Sequence, residues 1–249
     1  MRALVVLPTY LEAENIAEVL RGVRSAVPTA HVLVIDDGSP DGTADLAKAV
    51  GHELGAVDVL VRPAKAGLGS AYRTGFAEGI ERGFDVLVEM DSDLSHDPAA
   101  LPSLLRGVEE GADLAVGSRY VPGGSIPRWS FRRRALSRWG NRYAAVVLGL
   151  DVVDATSGFR AYRASALGAV DLESIRADGY GFQIEMAYRV ARNGGTIIEL
   201  PIEFSDRRRG QSKMSGRIIV EALALVTWWG LRDRVLRGRR PPSTHPRST

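Results

Sequence analysis

The 249-residue sequence contains no cysteine, which excludes disulfide bonds and thiolate metal sites and is compatible with a reducing compartment. Long apolar runs are also absent. The longest late run, residues 218–231, is interrupted by Glu221 and is shorter than the roughly 20 residues that span a bilayer. The N-terminal run ends at Pro8, too early for a secretory signal. We therefore expect a cytoplasmic protein.

Two nucleotide-binding signatures are missing as well. The chain has no G-x-G-x-x-G after its first apolar run and no G-x-x-x-x-G-K-[ST], so neither a dinucleotide fold nor a P-loop is indicated.

Acids are absent from residues 128–142, which hold six arginines, although the formal net charge of the whole chain is only +2. Such a cluster suits phosphates, nucleic acid or an anionic membrane surface.

Short apolar runs alternate with helical patterns in the first half of the chain. The predicted strands are 3–7, 31–36, 57–61, 85–90, 113–118 and 196–204, and the predicted helices are 14–24, 43–54, 69–82, 98–109, 131–148, 181–193 and 216–237. This alternation indicates an α/β fold with a mostly parallel sheet covered on both faces. We expect one domain over residues 1–237, ending in an amphipathic helix, and a disordered Pro/Ser-rich tail over 238–249.

The stretch "MDSDLSHDP" follows the fourth predicted strand, and ligands of such sheets bind at the carboxyl ends of strands. Asp91 and Asp93 are two residues apart, so in an extended segment both carboxylates point to one side. Two such oxygen ligands suit Mg²⁺ or Mn²⁺, which completes its shell with water and substrate phosphates. A solvated turn, with Asp97 preceding a helix that begins at Pro98, is the alternative.

Two further turns follow strands. "VIDDGSPDGT" places Asp37 where acids bind a ribose hydroxyl or a base edge, although this stretch taken alone is better explained by an ordinary Asp/Gly turn with a helix cap. "PTYLEAEN" places Tyr10 and Glu12 at the same edge, and the alternative there is a helix N-terminus whose acids complement the helix dipole.

Two basic segments offer partners for phosphates. Arg133 and Ser137 are four residues apart, hence on one helix face, where a guanidinium and a hydroxyl can bind a phosphate. The loop "DRRRGQSK" carries Arg207 and Lys213 on a Gly/Ser-containing segment, as in loops that close over phosphates. Each segment is also typical of a solvated basic surface. Taken together, the turns and segments indicate a metal-bound nucleotide diphosphate and a second phosphate near the arginines.

These motifs, with "VGSRY", "TSGFRAYR" and "GYGFQIEM" between them, resemble the dolichol-phosphate mannose synthases in content and order, from Ala3 to about Leu231. Those enzymes are inverting family 2 glycosyltransferases of GT-A fold, and the soluble actinobacterial polyprenol monophosphomannose synthases look most similar. The resemblance implies transfer of mannose from GDP-mannose to a polyprenyl (dolichyl-type) monophosphate, with Mg²⁺ or Mn²⁺.

The resemblance also implies roles for individual residues. The nucleotide sugar would be held by Pro8, Tyr10, Glu12, Ile35 and Asp37. The metal and diphosphate would be held by Asp91, Ser92 and Asp93, with Arg207 and Lys213 closing from the loop. The acceptor phosphate would be held by Arg119, Arg133 and Ser137. Family members often have Gln as a further metal ligand where this chain has Ser95, which would reach the metal directly or through water.

Other functions remain open at this stage. A polyprenyl-phosphate glucose synthase using UDP-glucose would need the same metal site and arginines. A non-catalytic nucleic-acid-binding protein would use the basic clusters, but the nearly balanced charge argues against it. If the acceptor is a lipid, we expect the protein to bind the anionic inner face of the cell membrane. The last helix suits this surface through the paired Trp228 and Trp229 and its basic end. Simple packing of that helix on the domain, or recruitment by a membrane protein, are the alternatives.

Overall fold

A computed structural model of the protein describes residues 1–175, 177–205 and 216–237. Within this part of the chain, seven strands form one sheet. They are β1 (Ala3–Thr9), β2 (His31–Asp36), β3 (Val57–Val61), β4 (Val86–Glu89), β5 (Leu114–Ser118), β6 (Arg160–Arg163) and β7 (Ile197–Pro201). Their order is β3-β2-β1-β4-β6-β5-β7, and β6 runs antiparallel to both its neighbours while the other pairs are parallel.

Helices cover both faces of the sheet. They are α1 (Ile16–Ala26), α2 (Thr43–Leu54), α3 (Leu68–Glu81), α4 (Leu101–Glu109), α5 (Phe131–Leu148), α6 (Ala164–Gly168), α7 (Gly179–Arg192) and α8 (Gly216–Arg237). Side chains alternate along β1: Val5 joins a core with α1, α2 and α4, whereas Leu4 joins a second core with α3, α5, α7 and α8. The predicted α/β class is confirmed.

The sequence patterns missed several elements. Strand β6 and the short helix α6 were not predicted. The fourth predicted helix begins as a 3₁₀ turn, Pro98–Ala100, in which the Asp97 carboxylate accepts the Ala99 N–H at 2.9 Å. Asp97 therefore caps the helix that was expected to begin at Pro98. The strand predicted at 196–204 occurs as β7 and pairs with β5 in the same sheet.

Helix α3 lies directly on the sheet because two glycines let it approach. A Cβ on Gly75 would collide with Val6 of β1, and one on Gly79 would collide with Leu87 of β4. Tyr72 precedes these glycines by one and two turns on the same helix face. The glycines therefore fix the distance between the Tyr72 ring and the strand ends.

Helices α5, α7 and α8 pack against one another. The Trp229 ring stacks on Tyr188 of α7, with centroids 6.1 Å apart, and the hydroxyls of Tyr143 on α5 and Thr227 on α8 are 2.7 Å apart. The adjacent Trp228 is exposed. Apolar residues thus occur on both sides of α8, which differs from the amphipathic helix expected. No helix in the described ranges is long and apolar enough to cross a membrane.

Candidate active site

A cleft of about 400 Å³ opens at the carboxyl edge of the sheet. The register of β1 sets Thr9 beside Asp36 of β2, and Val6 beside Glu89 of β4, so the loops after these three strands meet at one place. Seven residues that the sequence assigned to the nucleotide sugar line the cleft: Pro8, Tyr10, Glu12, Asp37, Asp91, Ser92 and Asp93. The structure therefore brings these seven residues together.

The adjacent residues Asp36 and Asp37, at the end of β2, have different partners and different roles. Asp36 is buried and accepts hydrogen bonds from the hydroxyls of Thr9 at 2.9 Å and Ser39 at 2.7 Å, which ties the first two loops together. Asp37 lines the cleft, and its Oδ1 accepts the Nε–H of Arg62 at 2.6 Å. Arg62 also donates to the Ser70 hydroxyl at 2.8 Å. Asp37 thus enters the cleft as one half of a nearly buried ion pair, already oriented.

The loop after β4 is held in an unusual backbone conformation. Leu94 has φ = 62°, a left-handed value that is costly for a residue with a branched side chain. This turn brings the backbone N–H of Ser95 to within 3.0 Å of the Asp93 Oδ1 atom. On the other side, the Ser92 hydroxyl donates to the Pro8 carbonyl oxygen at 2.7 Å. The strain therefore serves to fix the two aspartates beside the first loop.

The residues of this loop fit a hard divalent cation. Asp91 and Asp93 both line the cleft, and the Ser95 hydroxyl oxygen is buried without a hydrogen-bond partner among the described residues. An unpaired buried hydroxyl calls for a ligand or water. In the described ranges no three His, Cys, Asp or Glu residues form a metal cluster, so the remaining ligands would be water and phosphate, as Mg²⁺ usually arranges them.

Buried groups lie beneath these aspartates. The Tyr72 hydroxyl donates to Asp91 Oδ1 at 3.2 Å, and burial together with the Asp91 charge holds the pKa of Tyr72 well above its ordinary value. Burial also raises the pKa of Glu89 to about 8, an effect that Arg160 only partly offsets. His96 accepts the Asp91 N–H at its Nδ1, 3.2 Å away, and burial lowers the pKa of His96 to about 4. Tyr72 and His96 are therefore uncharged at neutral pH, and burial opposes a charge on Glu89, whose Oε1 lies 3.6 Å from Arg160 Nε.

A second, apolar groove of about 120 Å³ runs between α5, α7 and α8. Arg133 and Ser137 both line it, which confirms that they share one helix face. The Arg133 guanidinium lies 3.8 Å from the centroid of the Trp129 ring. The rest of the lining is mainly apolar and includes Leu136, Trp139, Ile184, Ile219 and Val226. The groove thus combines a cationic group with a surface suited to hydrocarbon.

Two residues are not where the resemblance implied. Arg119 does not line the groove: its Nε and Nη2 donate to the two oxygens of Asp154, and Nη2 also donates to Thr156. Burial lowers the pKa of Arg119, but Asp154 outweighs it and raises the pKa above its ordinary value. Ile35 is fully buried in the core and does not line the cleft. Arg207 and Lys213 lie outside the described residues.

Several cleft residues escaped the sequence interpretation. Lys65 lines the cleft with its Nζ 4.5 Å from the centroid of the Tyr10 ring, and Asp178 lines it while accepting the Gly69 N–H at 2.6 Å. A signal existed for both. The Gly-rich stretch "PAKAGLGS" is a fourth strand-end turn, between β3 and α3, and Asp178 directly precedes the "GYGFQIEM" motif.

The sequence comparison decides the family. A model of glycosyl transferase family 2 matches residues 4–170. The chain belongs to this family. The family expected from the motifs is therefore confirmed.

Curated relatives extend over nearly the whole glycosyltransferase. An undecaprenyl-phosphate mannosyltransferase of Micrococcus luteus is 51% identical over 94% of this chain and 96% of its own length. A polyprenol monophosphomannose synthase of Mycolicibacterium smegmatis is 48% identical over 96% of this chain and 90% of its own. A dolichol-phosphate mannosyltransferase of Pyrococcus furiosus is 35% identical over 95% of this chain and 67% of its own.

Solved structures agree on the fold. Glucosyl-3-phosphoglycerate synthase from Mycobacterium tuberculosis, in complex with uridine diphosphate, superposes with a TM-score of 0.67 over 92% of this chain and 80% of its own. The sequence identity is 21%, so the likeness establishes the GT-A architecture and carries no argument about the substrate.

Proposed function

We propose that this glycosyltransferase transfers mannose from GDP-mannose to a polyprenyl monophosphate and gives a β-linked mannosyl phosphate. The observation that carries the proposal is the adjacency of two unlike sites. Gly179 lines the polar cleft, and the next residue, Tyr180, lines the apolar groove. An isoprenoid chain in the groove would bring its phosphate next to a sugar diphosphate in the cleft. The names of the relatives describe transfer of mannose to such lipids.

The acceptor phosphate needs little activation. A phosphate monoester has its second pKa near 6, so it is largely dianionic at neutral pH and attacks without a general base. The chemical difficulty is the approach of one anion to another. Arg133 and Ser137 would bind and orient the acceptor phosphate at the groove. The Arg119 charge is already paired with Asp154, so Arg119 would act by holding this part of the fold in place. Direct attack inverts the anomeric carbon.

The donor, GDP-mannose, would be held at its nucleoside and at its diphosphate. Asp37, aligned by Arg62, would accept hydrogen bonds from the base or ribose. Asp91 and Asp93, with Ser95 directly or through water, would hold Mg²⁺ or Mn²⁺, which when bound stabilises charge on the leaving diphosphate. From the sequence we also assign Arg207 and Lys213 to that diphosphate.

We further propose that α5 and α8 face an anionic membrane surface. Seven large apolar residues on these two helices are exposed: Phe131, Leu136, Trp139, Val146, Val220, Trp228 and Leu231. The exposed arginines of α5 lie among them. Aromatic rings next to arginines suit the boundary between lipid headgroups and hydrocarbon. Nucleic acid would not explain the exposed apolar residues.

The decisive assay offers radiolabelled GDP-mannose and UDP-glucose in parallel to the protein with polyprenyl phosphate. We expect lipid-linked product from GDP-mannose only, and strongly reduced product from Asp93→Ala and Arg133→Ala. Product from UDP-glucose alone would replace the donor in the proposal. A folded, nucleotide-binding protein that makes no glycolipid from either donor would overturn it.

A further inference from the structure

Tyr72 approaches Asp91 from beneath the cleft. It is fully buried on α3, does not line the cleft, and its hydroxyl donates to Asp91 Oδ1 at 3.2 Å. A hydrogen bond to one oxygen of a carboxylate fixes the rotation of that carboxylate about its last bond. The orientation of Asp91 in the cleft is thus set in part by a residue that no ligand can touch.

The position of the Tyr72 ring is set by the fold around it. The ring stacks between Phe76, with centroids 5.9 Å apart, and Phe182 of α7, with centroids 6.0 Å apart. Asp178 holds the start of α3 through the Gly69 N–H, and Gly75 and Gly79 seat the helix on the sheet. The hydroxyl therefore has one fixed place, at the end of β4.

We propose that Tyr72 is a positioning residue that orients the Asp91 carboxylate and thereby sets the affinity of the cleft for its divalent cation. This inference rests on the proposed role of Asp91 as a metal ligand. Groups that orient a metal ligand from behind typically change metal affinity by about 10–100-fold when they are removed. The ring keeps its stacking role when only the hydroxyl is deleted, so the two contributions can be separated.

The experiment compares Tyr72→Phe with the wild-type protein. Mn²⁺ is titrated at saturating GDP and followed by calorimetry or by electron paramagnetic resonance, and GDP binding is measured separately without metal. We expect the Kd for Mn²⁺ to rise about tenfold, with unchanged GDP affinity in the absence of metal. In the transfer assay, the Mn²⁺ concentration for half-maximal rate should rise while kcat at saturating Mn²⁺ stays within about twofold, since the groups around the anomeric C–O bond that breaks are unaltered once the metal is bound.

Tyr188→Phe is the matched control. Tyr188 is also a buried tyrosine whose hydroxyl bonds a carboxylate, that of Asp233, but it lies between α7 and α8 and does not line the cleft. We expect its Mn²⁺ affinity to equal that of the wild type. A second test adds Tyr72→Phe to Asp91→Ala, where the hydroxyl has lost its partner and should no longer affect Mn²⁺ binding.

Any one of five results would overturn the inference. If the Mn²⁺ affinity of Tyr72→Phe is within twofold of the wild type, the metal site is intact and Tyr72 does not contribute to it. A general structural effect would be shown instead if Tyr188→Phe lost as much Mn²⁺ affinity as Tyr72→Phe. The same conclusion would follow if Tyr72→Phe lowered Mn²⁺ affinity equally in the Asp91→Ala background, or if Tyr72→Phe failed to fold. Wild-type protein that binds GDP but never Mn²⁺ would overturn the proposed metal site itself, and the inference with it.

Discussion

Arg119 and Asp154 form a bidentate ion pair inside the protein, with Nε 2.7 Å from Oδ2 and Nη2 2.6 Å from Oδ1. Both side chains are almost completely excluded from solvent. Asn141 of α5 also donates to Asp154, at 3.3 Å. The pair thus joins the end of β5 to the helix that carries Arg133 and Ser137.

Breaking this pair should destabilise the fold. In Asp154→Asn, Arg119 would keep its charge without a partner, and removal of one member of a buried pair costs about 3–5 kcal/mol. Urea unfolding measures the change. The matched surface pair is Arg82 with Asp58, at 2.8 Å, and Asp58→Asn should cost no more than about 1 kcal/mol. Similar losses for the two variants would contradict the prediction.

Arg133→Gln should weaken acceptor binding specifically. A hydrogen bond to a charged group contributes about 1.5–3 kcal/mol when buried, and discounting for the exposure of Arg133 we expect KM for polyprenyl phosphate to rise about tenfold. The KM for GDP-mannose should stay unchanged. Arg142 is an exposed arginine of the same helix outside the groove, so Arg142→Gln serves as control. An equal rise in both variants would point to a diffuse charge effect.

Membrane binding should depend on the exposed apolar residues of α5 and α8. We expect the double substitution Phe131→Ser and Trp228→Ser to reduce cosedimentation with anionic liposomes several-fold, because apolar area would no longer leave water. Val153 is exposed but lies on neither helix, and Val153→Ser should bind like the wild type. Unchanged sedimentation of the double variant would refute this orientation.

Acid should destabilise the protein through His96. Its pKa is lowered from 6.5 to about 4, chiefly by burial, so between these values the unfolded chain takes up a proton that the folded chain refuses. The contribution of His96 to the free energy of unfolding should therefore fall as pH drops through this window, by up to about 1.4 kcal/mol per pH unit for one proton. Glu89, whose pKa is raised to about 8, contributes in the opposite direction.

His96→Phe should remove the His96 contribution, so the difference in free energy of unfolding between the wild type and the variant should change with pH by the amount that His96 supplies, whatever the effect of the substitution at pH 7. Urea unfolding at pH 7, 6 and 5 measures it. His52 lies on the exposed side of α2, and His52→Phe should keep the wild-type slope. The same pH slope in His96→Phe as in the wild type would assign the proton uptake to other groups.

Much of the fold was predictable because most strands are continuous apolar runs. Strand β6 was missed because it contains Arg160, which sequence patterns treat as a surface residue. In the structure Arg160 is fully buried: its guanidinium donates to the carbonyl oxygens of Ala155, Ser157 and Gln183, each at 2.7 Å. Ala155 and Ser157 are near neighbours in sequence, but Gln183 belongs to α7, and Glu89, whose Oε1 lies 3.6 Å from Arg160 Nε, belongs to β4. Only the fold therefore reveals that the charge is satisfied.

The candidate site likewise contains residues whose position was predictable from the sequence and residues whose position was not. Asp37, Asp91 and Asp93 were predictable because acids directly after parallel strands must meet at one edge. Arg119 looked equivalent to Arg133, since both are arginines near the acceptor region in sequence. The difference is Asp154, 35 residues away, whose carboxylate binds the Arg119 guanidinium through both oxygens. Sequence spacing does not reveal such a partner.

Helix α5 carries both the exposed Phe131 and the groove residues Arg133 and Ser137. At a rise of 1.5 Å per residue, these lie within about 9 Å of one another along the helix axis, comparable to the depth of a headgroup layer. A helix docked by Phe131 would therefore hold its phosphate-binding groups at the level of the lipid phosphates. The acceptor would not have to leave the bilayer, and the reaction rate should follow its mole fraction in the membrane rather than its bulk concentration.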